Sequence, residues 1–391
     1  MDFAWSDEQN GFRAQIREFL EDAWPEEVRS ADRLSRRAPE HEGAIRRFKD
    51  MVAERGWYSI GWPEEYGGTG DLTAVERFIL SDEASRVGAP LSLYNVNIMG
   101  PLIIKHGSPW MKSELLPRIR DGEIDFTLGF TEPETGSDLA NLSTAAYRDG
   151  DEYVINGSKM YGRPGPGDIM YLAVRTDPDA PLRDGISLLF VEHGREGFTV
   201  ASMPTLDGGE VGATFYDDVR VPADHLLGVE NRGWDYVREA LDLDRTSGIP
   251  YGHMPLMRDN LIAFIKETKV DGRPLSEDPW VRDRLAQLVI DQEAGDVLQG
   301  MTASKIATGM KLRTESSVLK IFMTELERRM GEFGTEIAGP LGSLEPASGE
   351  APLDGQIWAT HKFNVAITIA GGSSEIQRNI IALQGLGLPR D

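Results

Sequence analysis

The spacing of apolar residues changes twice along this chain, and these two changes limit the folds that it can adopt. Before Asp125, apolar residues such as Phe12 and Ile16 recur at helical spacing. Beyond Asp125 they occur in short runs typical of strands, and turn signals such as Asp149-Gly150 separate the runs. From Trp234 onward the helical spacing returns. This order of helices, strands and helices predicts an α+β fold, with a sheet domain between two helical ones.

The predicted boundaries divide the 391 residues into three domains, a number that fits the length. Residues 1–124 form the N-terminal α-helical domain, residues 125–229 the central antiparallel β-domain and residues 230–391 the C-terminal α-helical bundle. The predicted strands cover 126–130, 142–148, 152–155, 169–174, 186–191, 198–203 and 214–219. Short strands at this spacing are typical of a sandwich or a barrel.

The composition excludes several classes of function. The 41 basic and 64 acidic residues give a net charge of −23, which disfavours binding to nucleic acid and to anionic membranes. There is no cysteine, so disulfides, thiolate catalysis and cysteine-based metal sites are excluded. No run of 18 apolar residues is present, and the first residues do not read as a signal peptide. We therefore expect a cytoplasmic protein without membrane insertion.

The common sequence signatures of nucleotide, metal and nucleophile sites are missing. The six histidines are scattered without metal-binding spacing, so no metal site is expected. No Gly-x-Gly-x-x-Gly motif follows a predicted strand, and there is no Walker loop and no Gly-x-Ser-x-Gly elbow. A cofactor would have to be held in another way.

Four short motifs remain, and they carry most of the functional information. Residues 131–138 read Thr-Glu-Pro-Glu-Thr-Gly-Ser-Asp, a turn whose hydroxyls and N–H groups suit a polar or anionic ligand. Residues 155–161 read Ile-Asn-Gly-Ser-Lys-Met-Tyr. Residues 61–68 read Gly-Trp-Pro-Glu-Glu-Tyr-Gly-Gly, and residues 371–378 read Gly-Gly-Ser-Ser-Glu-Ile-Gln-Arg. On composition alone, the first motif would be a surface loop that joins two domains.

In order and spacing, the four motifs resemble those of the acyl-CoA dehydrogenases. Residues 131–138 resemble that family's Thr-Glu-Pro-x-Ala-Gly-Ser-Asp signature, and residues 155–161 resemble its Ile-Asn-Gly-x-Lys-x-Trp motif. The resemblance covers nearly the whole chain. It implies the family's three-domain fold, FAD as cofactor, an acyl-CoA substrate and an electron-transfer flavoprotein as electron acceptor. It also implies a homo- or hetero-oligomer, either a dimer or a tetramer.

The resemblance also assigns residues to the cofactor. In the family, the residues matching Leu128, Phe130 and Thr131 bind the flavin ring, the one at Ser137 lies near the pyrophosphate and the substrate, and the aromatic at Tyr161 covers one flavin face. The alternatives are a buried strand for the first two and a core aromatic for Tyr161. The full set of expected FAD contacts is Leu128, Phe130, Thr131, Gly136, Ser137, Tyr161, Arg163, Glu336, Gly339, Pro340, Ser373 and Glu375. Of these, Glu336, Gly339 and Pro340 would reach the cofactor of a neighbouring subunit.

The family's reaction requires a carboxylate base, and the usual one is missing. Where many members carry a Glu in the last motif, this chain has Gly371 in or beside the position, and its N–H could still donate to the substrate carbonyl. Another branch carries the base in a helix sequence resembling Leu-Asp-Leu-Glu-Arg. Residues 241–245 read Leu-Asp-Leu-Asp-Arg, which makes Asp244 the candidate base, with Asp242 and Arg245 beside the substrate. The alternative for Asp244 is a solvated helix residue.

Two departures from the family pattern leave the activity open. The family's Arg-x-x-Phe-Gly loop, which binds the pyrophosphate, is replaced at residues 269–276 by Lys-Val-Asp-Gly-Arg-Pro-Leu-Ser, where Arg273 could substitute. Arg163 stands where the family has Thr or Ser near flavin N5, and it could instead point to solvent. The replaced loop at residues 269–276 and the glycine in the last motif resemble branches that act on bulky, branched or steroid-type acyl chains. The alternatives are a flavin oxidase or monooxygenase, and a catalytically degenerate subunit of a hetero-oligomer.

Overall fold

The fold is described from a computed structural model. It describes residues 5–24, 42–69, 72–91, 95–162, 164–165, 168–243, 251–307, 310, 312 and 314–389. Three residues with expected roles, Arg163, Asp244 and Arg245, lie outside the described residues.

The described part of the chain begins with five helices. They are α1 (Asp7–Ala23), α2 (Glu42–Glu54), α3 (Ala74–Arg86), α4 (Gly100–His106) and α5 (Leu116–Arg120). The capping box expected of Ser6 and Gln9 is present at the start of α1, since the Ser6 Oγ accepts from the Gln9 N–H at 3.2 Å and the Gln9 Oε1 accepts from the Ser6 N–H at 3.0 Å. The amphipathic faces of α1, α2 and α3 close on one cluster, in which the rings of Phe19, Phe48 and Trp57 pack together.

Seven strands then form one mixed sheet. They are β1 (Phe126–Gly129), β2 (Ala145–Asp149), β3 (Glu152–Met160), β4 (Ile169–Arg175), β5 (Ile186–Glu192), β6 (Phe198–Pro204) and β7 (Glu210–Pro222). The order along the sheet is β1-β4-β2-β3-β7-β6, and β5 pairs with the other edge of β4. The contacts of β4 with β1 and β2 are parallel, whereas β2–β3, β3–β7, β6–β7 and β4–β5 are antiparallel.

Six more helices follow the sheet. They are α6 (Gly233–Leu243), α7 (His253–Glu267), α8 (Pro279–Ala307), α9 (Glu315–Ala338), α10 (Gln356–Ile367) and α11 (Ser374–Ile380). Between α7 and α8, a two-residue hairpin pairs β8 (Lys269–Val270) with β9 (Arg273–Pro274). Its turn residues, Asp271 and Gly272, both have positive φ, as a tight hairpin turn requires. No helix in the described ranges combines the length and the apolar character needed to cross a membrane.

The start of β1 is fixed to the N-terminal helices by polar side chains. The Asn95 amide donates to the Ile124 carbonyl at 3.0 Å and accepts from the Phe126 N–H at 3.0 Å. The Lys49 Nζ donates to the Asp125 carboxylate at 2.8 Å. These bonds join the helical region to the first strand of the sheet, directly before the first motif.

The predicted element order agrees with the structure, while the sheet is less uniform than predicted. The acyl-CoA dehydrogenase-like arrangement of helices, sheet and helices is confirmed. The predicted central domain was antiparallel throughout, but β4 pairs in parallel with β1 and, at Arg175, with β2. A long connection separates β1 from β4, and hydrophobic spacing does not reveal the direction of pairing across such a connection.

Candidate active site

The first motif begins where β1 ends, at the edge of the hydrophobic core. The parallel partner of β1 aligns Leu128 with Tyr171 and Gly129 with Leu172. Phe130 is buried and packs its ring 5.3 Å from that of Tyr171. The chain then leaves the core, so Thr131 is half-buried, and Gly136 and Ser137 are exposed. The rigid end of a strand thus presents a short polar loop at the surface.

A buried ion pair joins the first motif to the second. The Lys159 Nζ donates to the Glu132 Oε1 at 2.7 Å and to the Phe130 carbonyl at 3.2 Å. The other Glu132 oxygen accepts from the Ser143 N–H and hydroxyl, each at 2.7 Å, and Oε1 also accepts from the Thr144 N–H at 2.8 Å. Glu132 is 4% exposed and Lys159 is 0% exposed. The two motifs therefore form one unit.

Both members of this pair have shifted pKa values. Burial acts to raise the pKa of Glu132, but Lys159 and the hydrogen bonds from residues 143 and 144 outweigh it and lower the pKa to about 2. Burial lowers the pKa of Lys159 to about 8, although Glu132 opposes the change. Near pH 7 the carboxylate and the ammonium are both charged.

The polar groups of the first motif that have no partner among the described residues include the Thr131 N–H and the Thr135 hydroxyl. The Thr135 hydroxyl is buried and has no hydrogen-bond partner among the described residues. The Thr131 carbonyl accepts from the Met160 N–H at 2.7 Å, but no partner for the Thr131 N–H is found in the described part of the chain. A buried hydroxyl normally has a partner, so the Thr135 hydroxyl, together with the N–H donor of the half-buried Thr131, fits a polar ligand such as the flavin of FAD.

Tyr161 lies beside this loop and is open to solvent. It adopts a left-handed backbone conformation, with φ of 72°, and is 64% exposed. The next residue, Gly162, approaches β1 so closely that an added Cβ would lie 2.8 Å from the Leu128 carbonyl oxygen. The alternative of a core aromatic is therefore wrong for Tyr161, whereas Phe130 is both a core residue and a neighbour of the loop.

Helix α6 precedes the candidate base, Asp244, in the sequence, and the carboxylate of Glu239 joins this helix to α4. The Glu239 carboxylate accepts from the Lys105 Nζ at 2.7 Å and binds the His106 Nε2 at 2.9 Å. Burial acts to raise the pKa of Glu239, but these two partners outweigh it and lower the pKa. Leu241 and Leu243, near the end of α6, pack on the same core cluster as Leu128. The helix that precedes Asp244 is thus packed on the core that supports β1, and Asp242 is exposed.

The last motif forms a glycine turn, and side chains of the protein donate hydrogen bonds to its carbonyl groups. Gly371 and Gly372 have φ of 66° and 96°. The Gln377 Nε2 donates to the Gly371 carbonyl at 3.1 Å and to the Gly372 carbonyl at 3.2 Å. The buried Lys320 donates to the Thr368 carbonyl at 3.0 Å. This turn positions backbone groups rather than a side chain.

The remaining candidate residues are at the surface. Ser373 caps α11 by accepting from the Ile376 N–H at 3.4 Å. The exposed Glu375 accepts from its own N–H and from the Ser373 hydroxyl, and these bonds lower its pKa. Glu336, Gly339 and Pro340 are exposed at the end of α9 and, within the described residues, share none of the bonds that tie Thr131 to the second motif.

Sequence reasoning did not identify Glu132, Lys159, Glu239 or Gln377 as parts of the site. A signal was available for Lys159, since it is the charged residue in a motif of otherwise small, polar or apolar residues, but not for Glu132, whose motif also contains Glu134 and Asp138. Glu239 carries no such signal, because its partners lie far away in the sequence. Gln377 lies inside the last motif, and its partners Gly371 and Gly372 belong to the same motif. In the described residues, no three His, Asp or Glu side chains come together as a metal site would require.

Profiles of one protein family match the chain in three consecutive segments. They are the N-terminal domain of acyl-CoA dehydrogenases at residues 6–123, the middle domain at residues 127–219 and the C-terminal domain at residues 231–386. The acyl-CoA dehydrogenase FadE26 of Mycobacterium tuberculosis is 34% identical over 406 residues, covering 100% of this chain and 99% of FadE26.

Solved structures give the same result. One chain of the ChsE4-ChsE5 complex from Mycobacterium tuberculosis matches with a TM-score of 0.88 and 33% identity over 100% of both chains. One chain of the Tcur3481-Tcur3483 steroid acyl-CoA dehydrogenase matches with a TM-score of 0.87 and 33% identity, again over 100% of both chains. The chain belongs to the acyl-CoA dehydrogenase family of FAD-dependent oxidoreductases.

Proposed function

We propose that this protein binds FAD and removes two hydrogens from the α and β carbons of an acyl-CoA thioester. The observation that carries the proposal is a pair of polar groups, the Thr131 N–H and the Thr135 hydroxyl, which lie beside the exposed Tyr161 and have no hydrogen-bond partner among the described residues. These groups fit the polar edge and the flat face of a flavin. Leu128, Phe130, Gly136 and Ser137 complete the proposed FAD contacts on this chain.

The proposed chemistry needs a base, a donor to the thioester carbonyl and a hydride acceptor. FAD, when bound, supplies the hydride acceptor. Asp244 takes the α-proton, and the Gly371 N–H donates a hydrogen bond to the thioester oxygen, where negative charge develops. The α and β carbons become doubly bonded as the proton and the hydride leave. Ser137, Asp242 and Arg245 are proposed to hold the substrate near these groups.

The remaining contacts in the proposal come from other segments. Ser373, Glu375 and Arg163 would contact the FAD of the same chain. Glu336, Gly339 and Pro340, with Arg273 on the β8–β9 hairpin, would reach the FAD of a neighbouring subunit. All three residues at the end of α9 are exposed, which such a role requires. Electrons would leave to an electron-transfer flavoprotein.

The proposed acyl group is bulky, branched or of the steroid type. The similarity to a protein described as a steroid acyl-CoA dehydrogenase supports this choice. A steroid-type acyl group carries a rigid ring system, so it needs a wider pocket than a straight chain does.

Anaerobic titration of the purified protein with a panel of straight-chain, branched and steroid-type acyl-CoAs tests this proposal. We expect the protein to carry FAD and the flavin absorption to bleach with a steroid-type ester. Asp244→Asn preserves the shape of the side chain and removes its basicity, so flavin reduction should slow by about 10²–10⁴-fold while FAD content stays unchanged. Asp235→Asn, on the exposed side of α6, is the matched control. Reduction of the Asp244→Asn flavin at the wild-type rate would exclude Asp244 as the base.

A second candidate function is that of one subunit in a mixed oligomer. Both structural relatives described above are complexes of two different chains, which favours this candidate. The ratio of flavin to chain, with the activity of the isolated protein, separates the two. One FAD per chain and activity alone support the first candidate. Activity only after addition of a second chain supports the mixed oligomer.

A further inference from the structure

We infer that Lys159 and Glu132 are positioning residues for flavin binding, because together they orient the Phe130–Thr131 peptide so that the Thr131 N–H faces the ligand. This inference rests on the proposed function and deepens it. It assigns a role to two residues that do not themselves need to contact FAD.

One hydrogen bond sets the orientation of the Phe130–Thr131 peptide. The Lys159 Nζ donates to the Phe130 carbonyl at 3.2 Å. In a trans peptide the C=O and the following N–H point in opposite directions, so the Thr131 N–H points away from the buried ammonium. It has no partner among the described residues, which leaves it as a donor on the open side of the loop.

The ammonium itself is also fixed. Lys159 is fully buried on β3, and its other partner is the Glu132 Oε1 at 2.7 Å. The Glu132 carboxylate is held in turn by the Ser143 and Thr144 N–H groups at 2.7 and 2.8 Å. If either charged group bound another partner, the remaining one would be a buried and unpaired charge, which is unfavourable. The peptide orientation is therefore set by a chain of short bonds.

The next peptide, Thr131–Glu132, already has its hydrogen-bond partners. The Met160 N–H binds the Thr131 carbonyl at 2.7 Å, and the Glu132 N–H binds the Thr135 carbonyl at 2.8 Å. On β4, Arg175 donates to the Ala140 carbonyl at 2.6 Å. Both polar groups of the Thr131–Glu132 peptide are thus occupied, whereas the Thr131 N–H before them has no partner among the described residues.

An ordinary stabilising ion pair would have a different consequence. It would raise the stability of the apoprotein without changing how the folded protein binds FAD. The positioning role predicts a change in FAD affinity and in the visible flavin spectrum, because a donor to the flavin would be displaced. This difference is measurable.

The experiment compares the wild type with three variants, each prepared as the holoenzyme in the same way. Lys159→Met removes the donor to the Phe130 carbonyl. Lys159→Met combined with Glu132→Gln removes both charges, so no unpaired charge stays buried and the fold is retained. Lys49→Met is the matched control, because it breaks an ion pair of 2.8 Å at the other end of β1. FAD dissociation constants, visible flavin spectra and apoprotein unfolding temperatures are measured for each, below its unfolding temperature.

We expect the double variant to fold and to bind FAD at least about 10-fold more weakly, the loss of one hydrogen bond at the flavin, with a shifted visible spectrum. Lys49→Met should keep the wild-type affinity and spectrum. A folded double variant with wild-type affinity and spectrum would overturn the inference while leaving the proposed function intact. Failure of both Lys159 variants to fold would also overturn it, since the pair would then be a folding element. Failure of the wild-type holoenzyme to bind FAD would overturn the proposed function, and the inference with it.

Discussion

Glu132 combines deep burial with a pKa of about 2, well below its ordinary value of 4.5. A carboxyl whose pKa is lower in the folded state stabilises the protein above its unfolded pKa, and the contribution is lost as the pH falls through the folded value. We therefore expect the free energy of unfolding to fall between about pH 4.5 and 2. In Glu132→Gln, this dependence should be flatter. Denaturant unfolding across this pH range measures the effect.

The control for this prediction is Glu152→Gln, because Glu152 is exposed and pairs with Arg220 on the surface of the sheet. Its removal should leave the acid dependence close to that of the wild type. Identical acid profiles for the Glu132 variant and the wild type would contradict the assigned pKa.

Gly68 offers a second prediction at the residue scale. A Cβ at this position would lie 1.8 Å from the Trp62 carbonyl oxygen, so the backbone of the 61–68 motif would have to move. Gly68→Ala should lower the free energy of unfolding by about 1–3 kcal/mol, as overpacking usually does. Gly11 lies in α1 with open space around it, and Gly11→Ala should stabilise by about 0.5–1 kcal/mol. Chemical unfolding of both variants measures the two changes. Equal changes in the free energy of unfolding would contradict the prediction.

Individual residues also show how far the sequence could be interpreted. The motif at residues 131–138 predicted a polar turn after a strand, and the chain does leave β1 there into an exposed loop, since turn residues and strand ends are local features. The cofactor roles of Thr131 and Tyr161 stay predictions. The partner of Lys159 was not predictable in the same way. A lysine in a strand is ordinarily solvated, and only the tertiary arrangement of residues 132, 143 and 144 makes its burial favourable.

At the scale of an element, the contacts of Glu239 on α6 give the next prediction. Glu239 ties this helix to Lys105 and His106 of α4, and Asp244 follows the helix directly. Glu239→Gln should loosen the helix and slow flavin reduction several-fold, while FAD content stays unchanged because the β1 loop is not touched. Stopped-flow reduction measures the rate. Asp235→Asn breaks only a pair with Arg232 within the same segment and should not slow it. Loss of FAD from the Glu239 variant would contradict this division of roles.

Strand β3 shows why element boundaries were harder to predict than element order. The alternating pattern ends after Ile155, and the prediction stopped there. The strand nevertheless continues to Met160. Its pairing with β7 shifts register between Ile155 and Gly157, where two residues of β7 stand opposite one of β3. The alternate positions that follow Tyr153 and Ile155 are Gly157 and Lys159, which are not apolar, so hydrophobic spacing did not reveal the second half of the strand.

For the whole molecule, the apolar surface of the C-terminal bundle predicts assembly. Ile290 is 61% exposed, and Val297, seven residues later on the same face of α8, is also exposed. Exposed apolar residues on one helix face are typical of an interface. Ile290→Glu should therefore weaken the oligomer, lowering the mass measured by light scattering at equal concentration. Leu206→Glu, in the β6–β7 turn, places the same charge elsewhere and should leave the mass unchanged. A monomeric wild type would contradict the prediction.

The pairing of β3 with β7 also has a consequence for synthesis of the chain. β2 and β3 are joined by a tight turn and can pair early, but β7 does not begin until Glu210. Until the ribosome has released that segment, β3 has one open edge, and such an edge can pair with the same edge of another nascent chain. Pairing between strands so distant in sequence is also slow. Chains that stop before residue 210 should therefore aggregate, so premature termination in the middle of this gene would be more harmful to a cell than termination near its end.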